Sequence, residues 1–125
     1  MPRPLLYDII ESPVHPDLTD LSEKLGLERL AFHSQRKALS SLKRRPPALI
    51  VADFFYGYGN NYAGANVSNL DVLLHSLQRF APEARIVVLA DPTELPHVPK
   101  LSALFRLDAV VALPATAAAL ESALT

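Results

Sequence analysis

The feature that most constrains this chain is a regular alternation of short apolar runs with stretches of helical spacing. Leu49-Ile50-Val51-Ala52-Asp53-Phe54 is apolar at nearly every position. A strand of that kind has no polar face to show water, so it belongs in the middle of a parallel sheet covered on both sides. Arg85 to Ala90 repeats the pattern, and Leu5 to Ile10, Leu27 to Phe32 and Asp108 to Leu113 supply three further strand candidates. The first of these is interrupted by Asp8 and closed by Pro13 and Pro16.

Helical signals fall between the strands. Pro16 and Asp17 suit a first helical turn, Leu18, Leu21 and Leu25 form an inward stripe, and Gly26 is a left-handed stop. Ser34 can cap a helix reaching about Arg44, with Ala38, Leu39 and Leu42 inward and Pro46-Pro47 ending it. Ser68 and Asp71 form a capping-box-like pair ahead of Leu70, Leu73, Leu74 and Leu77, and Pro82 ends that helix. Pro92, Pro96 and Pro99 restrict a fourth helix to about Val98 to Phe105, and Thr116 caps an alanine-rich last helix ending at Leu124.

The order βαβαβαβαβα predicts one α/β domain spanning residues 1–125, a flavodoxin-like (βα)5 doubly wound parallel sheet. Ligands of such sheets bind in a crevice at the carboxyl ends of the strands. A chain of 125 residues is long enough to bury a real core without staples. It has no cysteine, which rules out disulfides, thiolate metal sites and thiol catalysis. A net charge of -1 provides no pull towards nucleic acid, and no apolar run reaches the length of a membrane span. A cytoplasmic location is the resulting expectation.

The strand Leu49-Ile50-Val51-Ala52-Asp53, with Ile86-Val87-Val88-Leu89-Ala90 and Leu113-Pro114 following at the right distances, resembles the receiver domains of bacterial response regulators over essentially the whole chain. The resemblance implies a phospho-accepting aspartate at Asp53, an acidic pair after the first strand that holds Mg2+, a hydroxyl residue after the fourth strand, and a lysine before the conserved-type proline. The acidic pair falls on Ile10 and Glu11, with Asp8 two residues earlier as a substitute that would need a shifted strand end. The hydroxyl position is Ala90, followed by Asp91, and the lysine position is Leu113, although Pro114 remains. The bond before Pro114 is expected to be cis, as in the family.

Phosphoryl transfer depends on charge stabilisation around the moving group. A site with one metal ligand, the hydroxyl and the cation missing, and with Asp91 added, is therefore read as a vestige. Glu11 and Asp53 are the only weak metal candidates, so Mg2+ is not expected and no cofactor is called.

The stretch from Phe54 to Asn69 is the least ordinary part of the chain. It holds Tyr56, Tyr58 and Tyr62, the asparagines Asn60, Asn61, Asn66 and Asn69, and three of the four glycines. Tyrosine, asparagine and glycine are recognition-loop residues, and long connections in compact domains are usually functional. An interaction loop is favoured slightly over a plain surface loop. Gly57-Tyr58-Gly59 lacks nucleotide-loop spacing.

Arg36, Lys37, Lys43, Arg44 and Arg45 read better as a solvated helix end than as an anion patch. His15, His33, His75 and His97 are dispersed without metal-ligand spacing, and Ser68 follows no nucleophile-elbow pattern. The sequence thus points to a non-catalytic pseudo-receiver acting through protein contacts, with a signalling kinase or regulator, or a second copy of the chain, as partner. The contact surfaces would be the tyrosine loop and the face of the fourth helix, fifth strand and fifth helix. The alternatives are a divergent receiver phosphorylated at Asp53, and a small-molecule site under the loop.

Overall fold

In a computed structural model of the chain, residues 2–57 and 67–125 are described. Five strands, β1 (Leu5–Ile9), β2 (Glu28–Phe32), β3 (Leu49–Asp53), β4 (Arg85–Ala90) and β5 (Ala109–Ala112), form one sheet in the order β2-β1-β3-β4-β5, with every pair parallel. The helices are α1 (Thr19–Lys24), α2 (Gln35–Leu42), α3 (Asp71–Phe80), α4 (Val98–Ser102), preceded by a 3-10 turn at Leu95–His97, and α5 (Ala117–Leu124). The strand order reverses beside β1 and β3, so the crevice opens where those two strands end.

Strand alternation sorts the core into two layers. Tyr7, Ile9, Ile50, Ala52, Ile86 and Val88 pack with leucines of α2, α3 and α4 on one face. Leu6, Leu49, Val51, Val87, Leu89 and Val111 pack with Leu18, Leu120 and Leu124 on the other. β1 and β3 are buried at every position, which the near-continuous apolar runs required.

The local signals operate as their chemistry dictates. Gly26 has φ +71° and ends α1. Ser34 Oγ accepts the Lys37 amide at the start of α2, and Thr116 Oγ1 accepts that of Ala119 at the start of α5. Leu113–Pro114 is cis.

Three boundaries differ from expectation. α1 begins at Thr19 rather than at Pro16, with Asp17 Oδ1 accepting the Thr19 amide at 2.9 Å, so the acid caps the helix from outside. The third helix starts at Asp71, because Ser68 and Asp71 close a turn of their own: Asp71 accepts the Ser68 amide and hydroxyl, while Ser68 Oγ accepts the Leu70 amide. α4 stops at Ser102, three residues short of Phe105.

Candidate functional site

Asp8 and Asp53 are buried completely or nearly so, at 0% and 1% exposure, and both lie at the crevice. Asp8 shares its strand face with Leu6, and Asp53 shares its face with Leu49 and Val51, so the pleat aims both acids to the α1/α5 side of the sheet. β1 stays regular through Asp8, which pairs with Val51 in unbroken register. The shifted strand end anticipated for Asp8 is therefore absent; the acid reaches the site from within the strand.

What joins the two acids is His15, from the loop between β1 and α1. Its Nε2 lies 2.6 Å from Asp8 Oδ1 and its Nδ1 lies 2.8 Å from Asp53 Oδ2, and its side chain is 1% exposed. A neutral imidazole has one N–H and could serve only one of these oxygens; its other nitrogen would then turn a lone pair towards a carboxylate. Two carboxylate contacts require the imidazolium. Burial alone would lower the pKa of His15, but the hydrogen bonds and charges of Asp53 and Asp8 outweigh it and raise it to about 9.

Arg29, on β2, completes the group by donating Nε to Asp8 Oδ2 at 2.7 Å. Two carboxylates, an imidazolium and a guanidinium sum to zero, which is how buried charges are accommodated. Asp53 Oδ2 also accepts the backbone amides of Glu11 at 2.9 Å and Ser12 at 3.0 Å. Asp53 Oδ1, by contrast, is buried with no hydrogen-bond partner among the described residues.

Glu11 contributes to Asp53 by its backbone alone. Its carboxylate turns away, accepting Gln35 Nε2 at 2.7 Å and Asn69 Nδ2 at 3.1 Å. Asn69 Nδ2 also donates to the Asp53 carbonyl at 2.8 Å, and Asn69 Oδ1 accepts the Phe55 amide at 2.8 Å, pinning the exit of β3. Glu11, Asp53 and Asp91 therefore do not gather their carboxylates into one acidic cluster. Asp91 is exposed and bonded to Thr93 Oγ1, and its carbonyl accepts the Glu94 and Leu95 amides at the turn into α4.

The other side of the crevice is apolar. Ala90 is fully buried in the α2/α3/α4 layer, and Leu113, 4% exposed, packs among the leucines and valines of the α1/α5 layer. Neither can offer a hydroxyl or a cation.

Of the interaction loop, Tyr56 is described, and Tyr58, Asn60, Asn61, Tyr62 and Asn66 lie outside the described residues. Tyr56 forms an antiparallel bridge with Ser68, and Gly57, at φ +71°, donates its amide to Val67. The Tyr56 ring stacks on His97 at 4.0 Å, its hydroxyl accepts Lys100 Nζ at 2.9 Å, and its amide donates to Glu94. The root of the loop is thus fastened to α4. A cleft of about 470 Å³ opens beside it, lined by Ile10, Glu11, His33 and Phe55. His33 and His75 are exposed, and Arg36, Lys37, Lys43, Arg44 and Arg45 all face solvent.

Sequence reasoning passed over His15 and Arg29. Histidine spacing carries no information when the partners come from other strands, and the one available signal was the buried, unexplained Asp8.

With this geometry in hand, comparison with solved structures decides the architecture. A response regulator receiver protein from Pseudomonas putida superposes with a TM-score of 0.71, at 16% identity, over 99% of this chain and 97% of that one. A response regulator receiver domain protein from Clostridium thermocellum gives 0.66, at 17% identity, over 97% and 90%. A response regulator from Burkholderia pseudomallei, with a phosphorylated aspartic acid, a calcium ion and citrate, gives 0.65, at 22% identity, over 98% of this chain and 66% of that one. The chain has the receiver fold. No protein-family model and no curated protein matches the sequence.

The receiver fold implies a Mg2+ ion at its acidic pocket, and the residues present do not fit one. Mg2+ requires hard oxygen ligands in near-octahedral array. Here Asp8 Oδ1 and Asp53 Oδ2 face the two ring N–H groups of His15, and Asp8 Oδ2 faces Arg29. Among the described residues no three acidic or imidazole side chains are arranged to hold a metal. A dication added to a pocket already neutral would leave it with two uncompensated positive charges.

Proposed function

We propose that this chain is a pseudo-receiver: a signalling or interaction module that keeps the receiver scaffold, works through protein contacts, and performs no phosphoryl transfer at Asp53. The observation that carries the reading is the His15 imidazolium seated between Asp8 and Asp53. It occupies the metal-facing oxygens, while Ala90 and Leu113 supply neither hydroxyl nor cation to a phosphoryl group. Loss of each such electrostatic contact typically costs a reaction ~3 kcal/mol.

The described surface offers two places for a protein partner. One is the root of the tyrosine loop, where Tyr56 is 42% exposed over His97 and Lys100. The other is the open groove of about 610 Å³ along β5 and α5, where Val110, Ala112 and Ala119 are exposed. A second copy of the chain is the simplest occupant of the latter.

The second reading, a receiver of divergent chemistry, draws on Asp53 Oδ1: it has no hydrogen-bond partner among the described residues, so no donor there competes for it, although a phosphodonor would first have to displace what buries it. One experiment separates the two. Protein incubated with Mg2+ and acetyl phosphate, or with beryllofluoride, is followed by mass spectrometry and amide NMR. The pseudo-receiver reading expects no adduct and no shifts around Asp53. An Asp53 adduct that disappears in Asp53→Asn would establish the phosphorylatable switch instead.

A further inference from the structure

Neither the root of the tyrosine loop nor the β5/α5 groove involves α2, whose outer face carries a run of like charge. Arg36, Lys37, Lys43, Arg44 and Arg45 fall within ten positions, and all are exposed. No acid lies between Glu28 and Asp53. The rest of the chain holds seven cations and thirteen acids, a net charge of -6, so the near-neutral total conceals two regions of opposite sign. Ala38, Ser41 and Leu42 turn inward. That leaves Arg36, Lys37, Ser40, Lys43 and Arg44 on one outer stripe, about 12 Å long at the helical rise.

Helix electrostatics accounts for only one end of this stripe. Lys43, Arg44 and Arg45 lie at the negative end of α2, where cations are favourable, and Arg45 also pairs with Glu28 at 2.7 Å. Arg36 and Lys37 stand in the first turn, just inside the Ser34 cap, where free amides already make the helix end positive. No acid shares that turn, and the nearby Glu11 carboxylate is engaged by Gln35 and Asn69. Among the described residues Arg36, Lys37, Lys43 and Arg44 have no carboxylate partner. Charges that work against their own helix are expected where a surface serves a function.

We propose that the outer stripe of α2 docks an acidic segment of a partner protein. This names a partner chemistry for the interaction-module reading, on which it rests, and it needs nothing of Asp53. A short ladder of carboxylates at i, i+3, i+4 and i+7 on a helix matches the stripe in length and sign. A long polyanion fits poorly: duplex DNA carries a charge about every 1.7 Å, and beyond the stripe it meets the net negative remainder of the chain. The apolar side of α2 is buried in the core, and no large apolar side chain is exposed between residues 33 and 47, so the helix has no face to insert into a lipid surface. Contacts of this kind speed encounter, set specificity and weaken with salt.

The test uses a fluorescent alanine-based helical peptide with glutamates at that spacing, and the same peptide with glutamines, followed by anisotropy against the full chain. The glutamate peptide is expected to bind and the glutamine peptide is not. Arg36→Gln/Lys37→Gln should weaken binding about tenfold, since exposed ion pairs contribute modestly each. Lys24→Gln/Arg79→Gln, which removes the same charge from other helices, should leave it unchanged. The melting temperature of Arg36→Gln/Lys37→Gln should hold or rise, because cations leave the positive end of α2.

Absence of binding up to about 1 mM peptide overturns the proposal. So does equal binding of the glutamine peptide, or an equal loss in the control variant. Tighter binding to duplex DNA or to phosphatidylserine vesicles would replace the partner protein by another anion. A melting temperature lowered by more than about 3 °C would show that Arg36 and Lys37 hold the fold instead. None of these outcomes touches phosphorylation of Asp53, so the pseudo-receiver reading stands or falls separately.

Discussion

The two sides of the crevice solve one electrostatic problem in opposite ways. On the β1–β3 side, two buried carboxylates are held by an imidazolium and a guanidinium, and the charges cancel internally. On the β4–β5 side, Ala90 and Leu113 are buried in apolar surroundings, one in each layer of the core, and neither carries a charge. A pocket that is neutral on its own needs no cation from across the crevice. The presence of His15 therefore makes the apolar residues opposite it tolerable, and the pair of features is best understood as one arrangement.

The largest effect should come from breaking the charged side. His15→Ala leaves two buried carboxylates with one cation, and loss of one partner from a buried ion pair costs about 3–5 kcal/mol. Urea denaturation of wild type and variant in metal-free buffer measures it. A loss under 1 kcal/mol would mean that His15 is not the charge that holds the pocket.

Next in size is the pH dependence of the same contact. The folded pKa of His15, about 9, lies above its unfolded value of 6.5. Its stabilisation is thus complete below about pH 6.5 and is lost as pH rises through 9. The shift corresponds to roughly 3 kcal/mol at most. The urea midpoint of the wild type should fall across that window and that of His15→Gln should not; parallel curves would remove the imidazolium from the explanation.

The apolar side can be broken by the converse change. Leu113→Lys puts an ammonium where Leu113 is packed at 4% exposure. With the nearby acids already compensated, it should destabilise by about 2 kcal/mol. A neutral or stabilising result would show instead that the carboxylates have charge to spare.

The smallest effect sets the scale for the rest. Lys24 and Glu121 form an ion pair at 2.8 Å with side chains 65% and 41% exposed. Lys24→Ala should change stability by less than about 0.5 kcal/mol, and less again in high salt.

Much of the architecture was legible in the residues. The unbroken apolar runs at Leu49–Asp53 and Arg85–Ala90 read as buried strands and are buried strands, and the leucine stripes of Leu18, Leu21 and Leu25 and of Leu70, Leu73, Leu74 and Leu77 pack against the sheet. Gly26, Ser34 and Thr116 mark helix ends by chemistry local to a few residues, and they act as expected. Ser68 and Asp71 show the limit of local reading, because the same hydrogen bonds that can start a helix also close a free-standing turn ahead of one. Asn69, between them, is held by Glu11 and the Asp53 carbonyl, contacts made far away in the chain.

The candidate site divides along the same line. Asp53 at a strand end, and the apolar identities of Ala90 and Leu113, are properties of the sequence, since they follow from strand periodicity and position. The joining of Asp8, His15, Arg29 and Asp53 was decided by tertiary structure alone. These residues come from three strands and a loop, and the His15–Asp53 contact alone spans 38 positions of the chain. Periodicity describes neighbours along one element, whereas a charge network is made by the parallel pairing that brings β1, β2 and β3 side by side. That is why the sequence by itself determined a receiver-like frame, and only the packed sheet revealed that His15 stands between Asp8 and Asp53.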